Sequence, residues 1–198
     1  NLIVCVIGDV DAASIIEQAR RLTPAGKKPQ FERCCGAPEP EQVPVRTIEK
    51  QMEIAMPAFA IGFRCPDAGR GADAMRMDLI GEMAGEMLVG ESSKLYQKLY
   101  DENVIDADFS VDYERMKGMA LLELSGDSED PRRILREVLA EAARVLETGV
   151  DRVLLARLKK SVTGRRLREL DGFEGTCYRM CAYYFDGAEY FDYPEIYA

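Results

Sequence analysis

The sequence predicts an α+β fold, and three observations carry that expectation. Residues 107–113 alternate strictly between apolar and polar side chains, and a second apolar stretch at 119–124 follows closely enough to fold back on them as an antiparallel partner. Stretches with helical spacing flank this pair, at 73–89 before it and 130–148 after it. The 198 residues are 47% hydrophobic and 31% charged, enough apolar material for a core in one domain or two small ones.

Charge and composition remove several function classes. With 26 Lys plus Arg against 35 Asp plus Glu, the net charge is −9, opposite in sign to the basic footprint of a general nucleic-acid binder. No nucleic acid is expected as a partner. The sequence has no histidine, which removes the commonest general base, the commonest zinc ligand and every Ser-His or Cys-His nucleophile pair. Its six cysteines (Cys5, Cys34, Cys35, Cys65, Cys177 and Cys181) are irregularly spaced in a chain that needs no disulfide staples, so reduced thiols and a cytoplasmic setting are expected. Cys177 and Cys181 lie one helical turn apart and could combine with Cys34 and Cys35 as a four-thiolate zinc site. Neither pair has the C-x-x-C knuckle, so structural thiols are the plainer reading and no metal or cofactor is assigned to this chain.

The elements follow in order. Leu2–Ile7 is strand-like, too short to span a membrane and without the basic flank of a signal peptide, so no membrane partner is expected. Gly8-Asp9-Val10-Asp11 then turns the chain, and Asp9 or Asp11 caps a helix whose Ile15, Ile16, Ala19 and Leu22 recur at helical spacing. The single glycine lacks the companions and the lysine of a phosphate loop. From Pro24 to Pro44, five prolines with Gly26 and Gly36 deny both helix and central strand, giving a long surface connection. Val45–Ile54 alternates in part and Ala58–Cys65 is a short apolar run closed by Pro66, so two strands are expected.

Asp73–Val89 predicts a helix buried on much of its circumference, with Met75, Leu79, Met83 and Met87 in one row as core. Gly81 and Gly85, one turn apart, allow another element to approach closely at a cost in helix propensity. Gly90-Glu91-Ser92-Ser93 stops that helix and caps a shorter one through Leu95, Tyr96 and Leu99. After the strand pair, Asp130-Pro131 opens a helix that keeps its period to Gly149, and Asp151 opens another. This last helix holds Arg152, Arg157, Lys159, Lys160, Arg165, Arg166 and Arg168, but these residues spread around it and leave only Leu154, Leu155, Leu158 and Val162 apolar. It is expected to be a solvated or domain-bridging helix rather than a polyanion site. Phe173–Tyr197, rich in Tyr and Phe, is expected to pack on the rest or on a part outside this chain.

The order of these segments carries a resemblance. Gly90-Glu91-Ser92-Ser93-Lys94-Leu95-Tyr96-Gln97-Lys98-Leu99-Tyr100-Asp101-Glu102 resembles the G-x-S-S-x-L-x-x-x-L-R-x-E segment of the insulinase or pitrilysin-like zinc metallopeptidases, which include the mitochondrial processing peptidases. The likeness runs from Leu2 to about Asp186 and implies the domain that follows the catalytic one, over residues 1–186, with 187–198 as the start of a further, truncated segment. It implies an antiparallel sheet covered by helices, the LuxS/mitochondrial-processing-peptidase-like metallohydrolase fold. In that family an inverted H-x-x-E-H motif in a neighbouring domain holds the zinc. This chain lacks the motif, so the resemblance implies a non-catalytic, substrate-holding domain, with zinc and a homologous catalytic domain supplied by the rest of the same protein or by a partner subunit. The alternative is an assembly module of an inactive subunit that pairs with an active homologue. Family members carry an Arg and, seven residues later, a Tyr that grip the bound peptide; the matching positions here are Tyr100 and Ala107. Ile105–Phe109 is closer to a bacterial branch in which this segment diverges.

The candidate substrate-binding residues are Tyr100, Asp108 and Asp112. Asp108 and Asp112 are expected to share the wet face of one strand, with Glu123 joining them from its partner. Such carboxylates could act as acid and base or hold a cation, but a solvated face is the plainer account. If that face lines a chamber for a peptide or unfolded polypeptide, its negative potential favours basic substrates.

Overall fold

The structure, a computed structural model, describes residues 2–23, 43–66, 69–116 and 118–197. The Pro-rich connection expected at 24–44 and the Cys34-Cys35 pair lie mostly or wholly outside those residues.

The architecture is α+β, with three antiparallel strands in the spatial order β1 (Ala58–Cys65), β3 (Met119–Asp127), β2 (Ser110–Met116). The register places Phe63, Leu122 and Tyr113 side by side, then Ile61, Leu124 and Val111. Because side chains alternate across a strand, this row forms one apolar face. The other face carries Gly62, Glu123 and Asp112, and next to them Arg64, Leu121 and Glu114.

Helix α2 (Ala72–Val89) covers the apolar face. Its two glycines make this possible: a Cβ on Gly85 would come within 2.8 Å of Val111 Cγ2 and 2.9 Å of Leu122 Cδ1, and one on Gly81 would enter the Tyr113 ring. The close approach read from Gly81 and Gly85 is thus to the sheet itself. In α2, Met75 and Leu79 are buried, whereas Ile80 is exposed.

The core lies where the sheet, α2, α3 (Lys94–Asp101) and α4 (Pro131–Thr148) meet. Val89, Leu95, Leu99, Val104, Ile105, Phe109, Leu124, Ile134 and Val138 form it. Ser128 braces its edge: the hydroxyl donates to the Val104 carbonyl at 2.6 Å and accepts from the Asp130 N–H at 3.2 Å. Caps start the helices where the sequence places them. Asp11 accepts from Ala13 and Ser14 for α1 (Ala12–Leu22), Ser93 from Tyr96 for α3, and Asp130 from Arg133 just before Pro131. Asp151 does the same for α5 (Arg152–Glu169).

Helix α6 (Phe173–Asp186) ends at Gly187, whose φ of +84° is the left-handed conformation that suits glycine. A 3₁₀ turn at Tyr190–Asp192 leads into α7 (Tyr193–Tyr197), which packs on α2. Arg115, on β2, reaches Asp78 on α2 at 3.0 Å and also bonds Asp186 at the end of α6. Hydrogen bonding to Asp78 comes first among the causes that push its guanidinium above the usual value. The aromatic end of the chain is thereby fastened to the sheet.

Three expectations fail, two where no strand lies alongside among the described residues and one where the backbone amides are already taken. Leu2–Ile7 is extended but forms no strand, because its neighbour is α6, where the Cys177 thiol meets the Cys5 carbonyl at 3.8 Å. A helix satisfies its amides internally and offers no ladder. Val45–Ile54 is likewise no strand; its chain turns on itself, with the Ile54 N–H donating to the Met52 carbonyl at 3.1 Å. Residues 107–109 precede β2 instead of opening it. There the Asp108 N–H is taken by Asp106 Oδ1 at 3.0 Å and the Phe109 N–H by the Asp106 carbonyl, so pairing begins only at Ser110.

Candidate functional site

Strand β2 pairs with β3 on one side and has no strand on the other among the described residues. Along that free edge runs a groove made of two cavities, of about 400 and about 390 Å³, which share Glu86, Val111 and Arg165. Helix α2 supplies its floor and α5 its far wall.

The first cavity is lined by Met83, Glu86 and Val89 of α2, by Ser110 and Val111 of β2, and by Leu158, Ser161, Val162, Arg165 and Arg168 of α5. Gly90, Glu91, Ser92 and Tyr96 close its end, and Phe109 joins them. The apolar row of α5 read from the sequence therefore faces this groove and α2, with Leu158 and Val162 buried. Gly90 is needed here, because a Cβ would strike both the side chain and the backbone of Glu86.

The second cavity is polar. Asp78, Glu82, Asp112, Tyr113, Arg115, Arg165, Arg166 and Tyr183 surround it. Glu82 holds Arg165 at 2.6 Å and Arg166 at 3.7 Å, and Arg166 lies over the Tyr193 ring at 5.4 Å. The basic residues Arg165 and Arg166 are thus used to bridge α5 to α2 and to the end of the chain. Burial pushes the Glu86 carboxyl above its ordinary value of 4.5, with Arg165 opposing the rise and Glu82, Glu91 and Asp112 adding to it. Burial also raises the Tyr183 hydroxyl.

The candidate residues fall in different places. Asp112 stands on β2 directly opposite Glu123 and lines the polar cavity. Asp108 does not share that face; it sits in the turn before β2, exposed, because the Asp106 side chain holds its amide. Tyr100, 48% exposed, stacks on Tyr96 with centroids 6.0 Å apart and planes at 10°. Tyr96 in turn tilts against Phe109, and it is Tyr96, not Tyr100, that reaches the groove. Sequence reasoning missed Glu86, Ser161 and Arg165 as groove residues. The one signal was an acidic residue inside an apolar helix row, and it says nothing of which helix will face it.

The groove brings together an open strand edge, an apolar end and a polar end with carboxylates and guanidinium groups. The sequence contains no histidine, and among the described residues no group of three or more His, Cys, Asp or Glu is placed to hold a metal ion.

The family described as the peptidase M16 inactive domain matches residues 1–162, and the chain belongs to that family. The uncharacterized zinc protease YmfH of Bacillus subtilis (strain 168) is 28% identical over 202 residues, which cover 97% of this chain and 45% of that protein. An M16-like peptidase from Alicyclobacillus acidocaldarius superposes with a TM-score of 0.75 at 23% identity, over 88% of this chain and 41% of its own. An insulinase family protease from Yersinia pestis gives 0.54 at 18% identity, over 85% and 36%. These two share the α+β fold of this chain. The chain spans less than half the length of each of these relatives.

Proposed function

We propose that this chain is the substrate-side domain of a zinc-dependent peptidase of the insulinase-like family, holding an extended peptide for hydrolysis by a catalytic domain outside the chain. The observation that carries this reading is the groove along the free edge of β2. A strand of seven residues presents roughly 23 Å of edge at about 3.3 Å per residue, room for a peptide to add main-chain hydrogen bonds while α5 forms the far wall. Positioning of this kind lets a remote zinc act on a scissile bond held at a fixed place. Asp112 and Glu123 supply a negative potential that favours Lys/Arg-rich peptides. Asp108, exposed in the turn two residues before β2, and Tyr100, stacked on the groove residue Tyr96, are the further candidates for peptide contact in this reading. The free thiols of Cys5, Cys65, Cys177 and Cys181 suit a reducing, cytoplasmic setting. No helix among the described residues is long and apolar enough to cross a membrane.

The test is Ser161→Trp in the intact peptidase. Ser161 is an exposed groove residue whose enlargement blocks the site without entering the core. KM for an unstructured peptide should rise at least about tenfold, roughly 1.4 kcal/mol, with zinc content unchanged. An unaltered KM removes the groove from substrate binding. Asp112→Lys with Glu123→Lys should lower cleavage of basic peptides more than of neutral ones, and equal loss on both would sink the charge reading.

One observation favours the second reading, a module that assembles with a homologous subunit. Leu2, Val4 and Val6 together with Ile15, Ala19 and Leu22 of α1 line an apolar trough of about 520 Å³, with Leu2 80% and Leu22 84% exposed. Val4→Lys and Leu22→Lys should weaken association while leaving peptide affinity intact if this face serves assembly.

A further inference from the structure

The sequence separates Cys5 from Cys177 by 172 positions, yet the fold brings them together. Cys177 and Cys181, one turn apart on α6, both help to hold the Cys5 thiol above its ordinary value. The Cys177 thiol donates to the Cys5 carbonyl at 3.8 Å, and the Cys5 thiol meets Met180 Sδ at 4.0 Å. All three cysteines are partly exposed, and all are free thiols. They are not placed as a metal site, so covalent sulfur chemistry is what the cluster can support.

We propose that Cys5 and Cys177 form a redox-modification site, converted by a hydroperoxide into a disulfide that clasps the 2–7 segment onto α6, with Cys181 in reach to exchange into the bond. In the first step a Cys177 thiolate attacks the outer peroxide oxygen. The O–O bond breaks, an alcohol or water leaves, and Cys177 becomes a sulfenic acid. In the second, the Cys5 sulfur attacks the Cys177 sulfur, the S–O bond breaks, and the hydroxide leaves with the Cys5 proton as water. Two thiols are oxidised and one peroxide is reduced, so no further reactant is needed. Burial, helped by the neighbouring thiols, raises the Cys5 thiol to about 11. A thiol raised in this way supplies little thiolate at neutral pH, so closure quickens as the pH rises.

The sequence makes the test direct, because Arg179 lies between Cys177 and Cys181 and trypsin separates them. The full chain is treated with hydrogen peroxide, free thiols are blocked, and a non-reducing tryptic digest is read by mass spectrometry. The expected product joins the peptide ending at Arg20, which holds Cys5, to Glu169–Arg179, which holds Cys177. Cys177→Ser should transfer the link to the peptide beginning at Met180, and Cys5→Ser should abolish it while the other five cysteines remain. Because the bond closes a loop of 172 positions, the oxidised chain should melt at least about 5 °C higher than the reduced one. Oxidation that links these peptides only between molecules, that links Cys34, Cys35 or Cys65 instead, or that stops at sulfinic acid would overturn the proposal. If a serine variant fails to fold, iodoacetamide labelling of the wild-type chain before and after peroxide decides the same question. Joint protection of Cys5 and Cys177, reversed by reductant, supports the clasp; labelling of either one that is unchanged by peroxide refutes it.

Discussion

Replacing Gly81 by alanine sets two effects of opposite sign against each other. Alanine in a helix interior gains about 1 kcal/mol over glycine. At Gly81, however, the new Cβ would stand 2.5 Å from Tyr113 Cε2 and closer still to Cδ2 and Cγ, where carbon atoms prefer about 3.5–4.0 Å. A ring held between α2 and the sheet must retreat by about 1 Å, and such overpacking costs typically 1–3 kcal/mol. With the clash toward the upper end of that range, the net effect is destabilisation of about 1–2 kcal/mol, or roughly 2–8 °C in Tm for a chain of this size. Gly164→Ala is the internal control. It lies in α5, where the added Cβ would touch only Arg168 Nη1 at 3.6 Å, so the propensity gain stands alone and the variant should be more stable by roughly 0.5–1 kcal/mol. Urea unfolding of both variants, read as a shift in midpoint at constant slope, makes the comparison. A Gly81→Ala chain as stable as wild type, or stabilised like Gly164→Ala, would show that α2 does not lie against Tyr113 as described.

Three further outcomes follow from the same structure. The Glu86 carboxyl titrates above 4.5 when folded, so the folded state binds the extra proton, and stability from this group is complete below 4.5 and lost as pH climbs through the folded value. Glu86→Gln should therefore be more stable than wild type above the folded value and flatten the fall of the urea midpoint as pH rises from 4.5. Asp112 faces Glu123 across the β2–β3 ladder, and Asp112→Asn should stabilise by about 0.2–0.5 kcal/mol, a gain in Tm that salt diminishes. Arg115→Met keeps the apolar stem but strands Asp78 and Asp186, both about one third exposed; a loss of about 1–3 kcal/mol is expected, with protease cleavage appearing first in the α6–α7 region if the fork is what holds it.

How much of this was legible in the sequence depends on whether the signal was local. Helices α3 to α5 announce themselves by caps and period and α2 by period alone, and Asp130-Pro131 or Asp151 fix starts without reference to anything distant. Strands fared worse, because a strand exists only if another segment pairs with it. Leu2–Ile7 is as apolar a run as β1, yet its neighbour is a helix. The fate of 107–109 turned on one side chain, Asp106, which competes for the amides that a ladder needs. Gly81 and Gly85 gave a close approach but not its object. For the site, Asp112 and its facing Glu123 followed from alternation within a hairpin, a short-range fact. The groove did not, since Glu86, Ser161 and Arg165 meet only through the packing of α5 on α2.

The strand order β1-β3-β2 has a consequence for how the chain is made. The central strand is the last of the three to leave the ribosome, so Ala58–Cys65 emerges with nothing to pair with until residues 119–127 follow. The β2–β3 hairpin, by contrast, closes across only residues 117 and 118 and can form within microseconds. Synthesis thus leaves the apolar Phe59, Ile61 and Phe63 waiting for several seconds at about 5–20 residues per second, a window in which a nascent chain is open to chaperone capture or to mispairing with a second copy. Codon choices that slow translation between residues 66 and 119 should lengthen that window and lower the soluble yield without altering a single side chain.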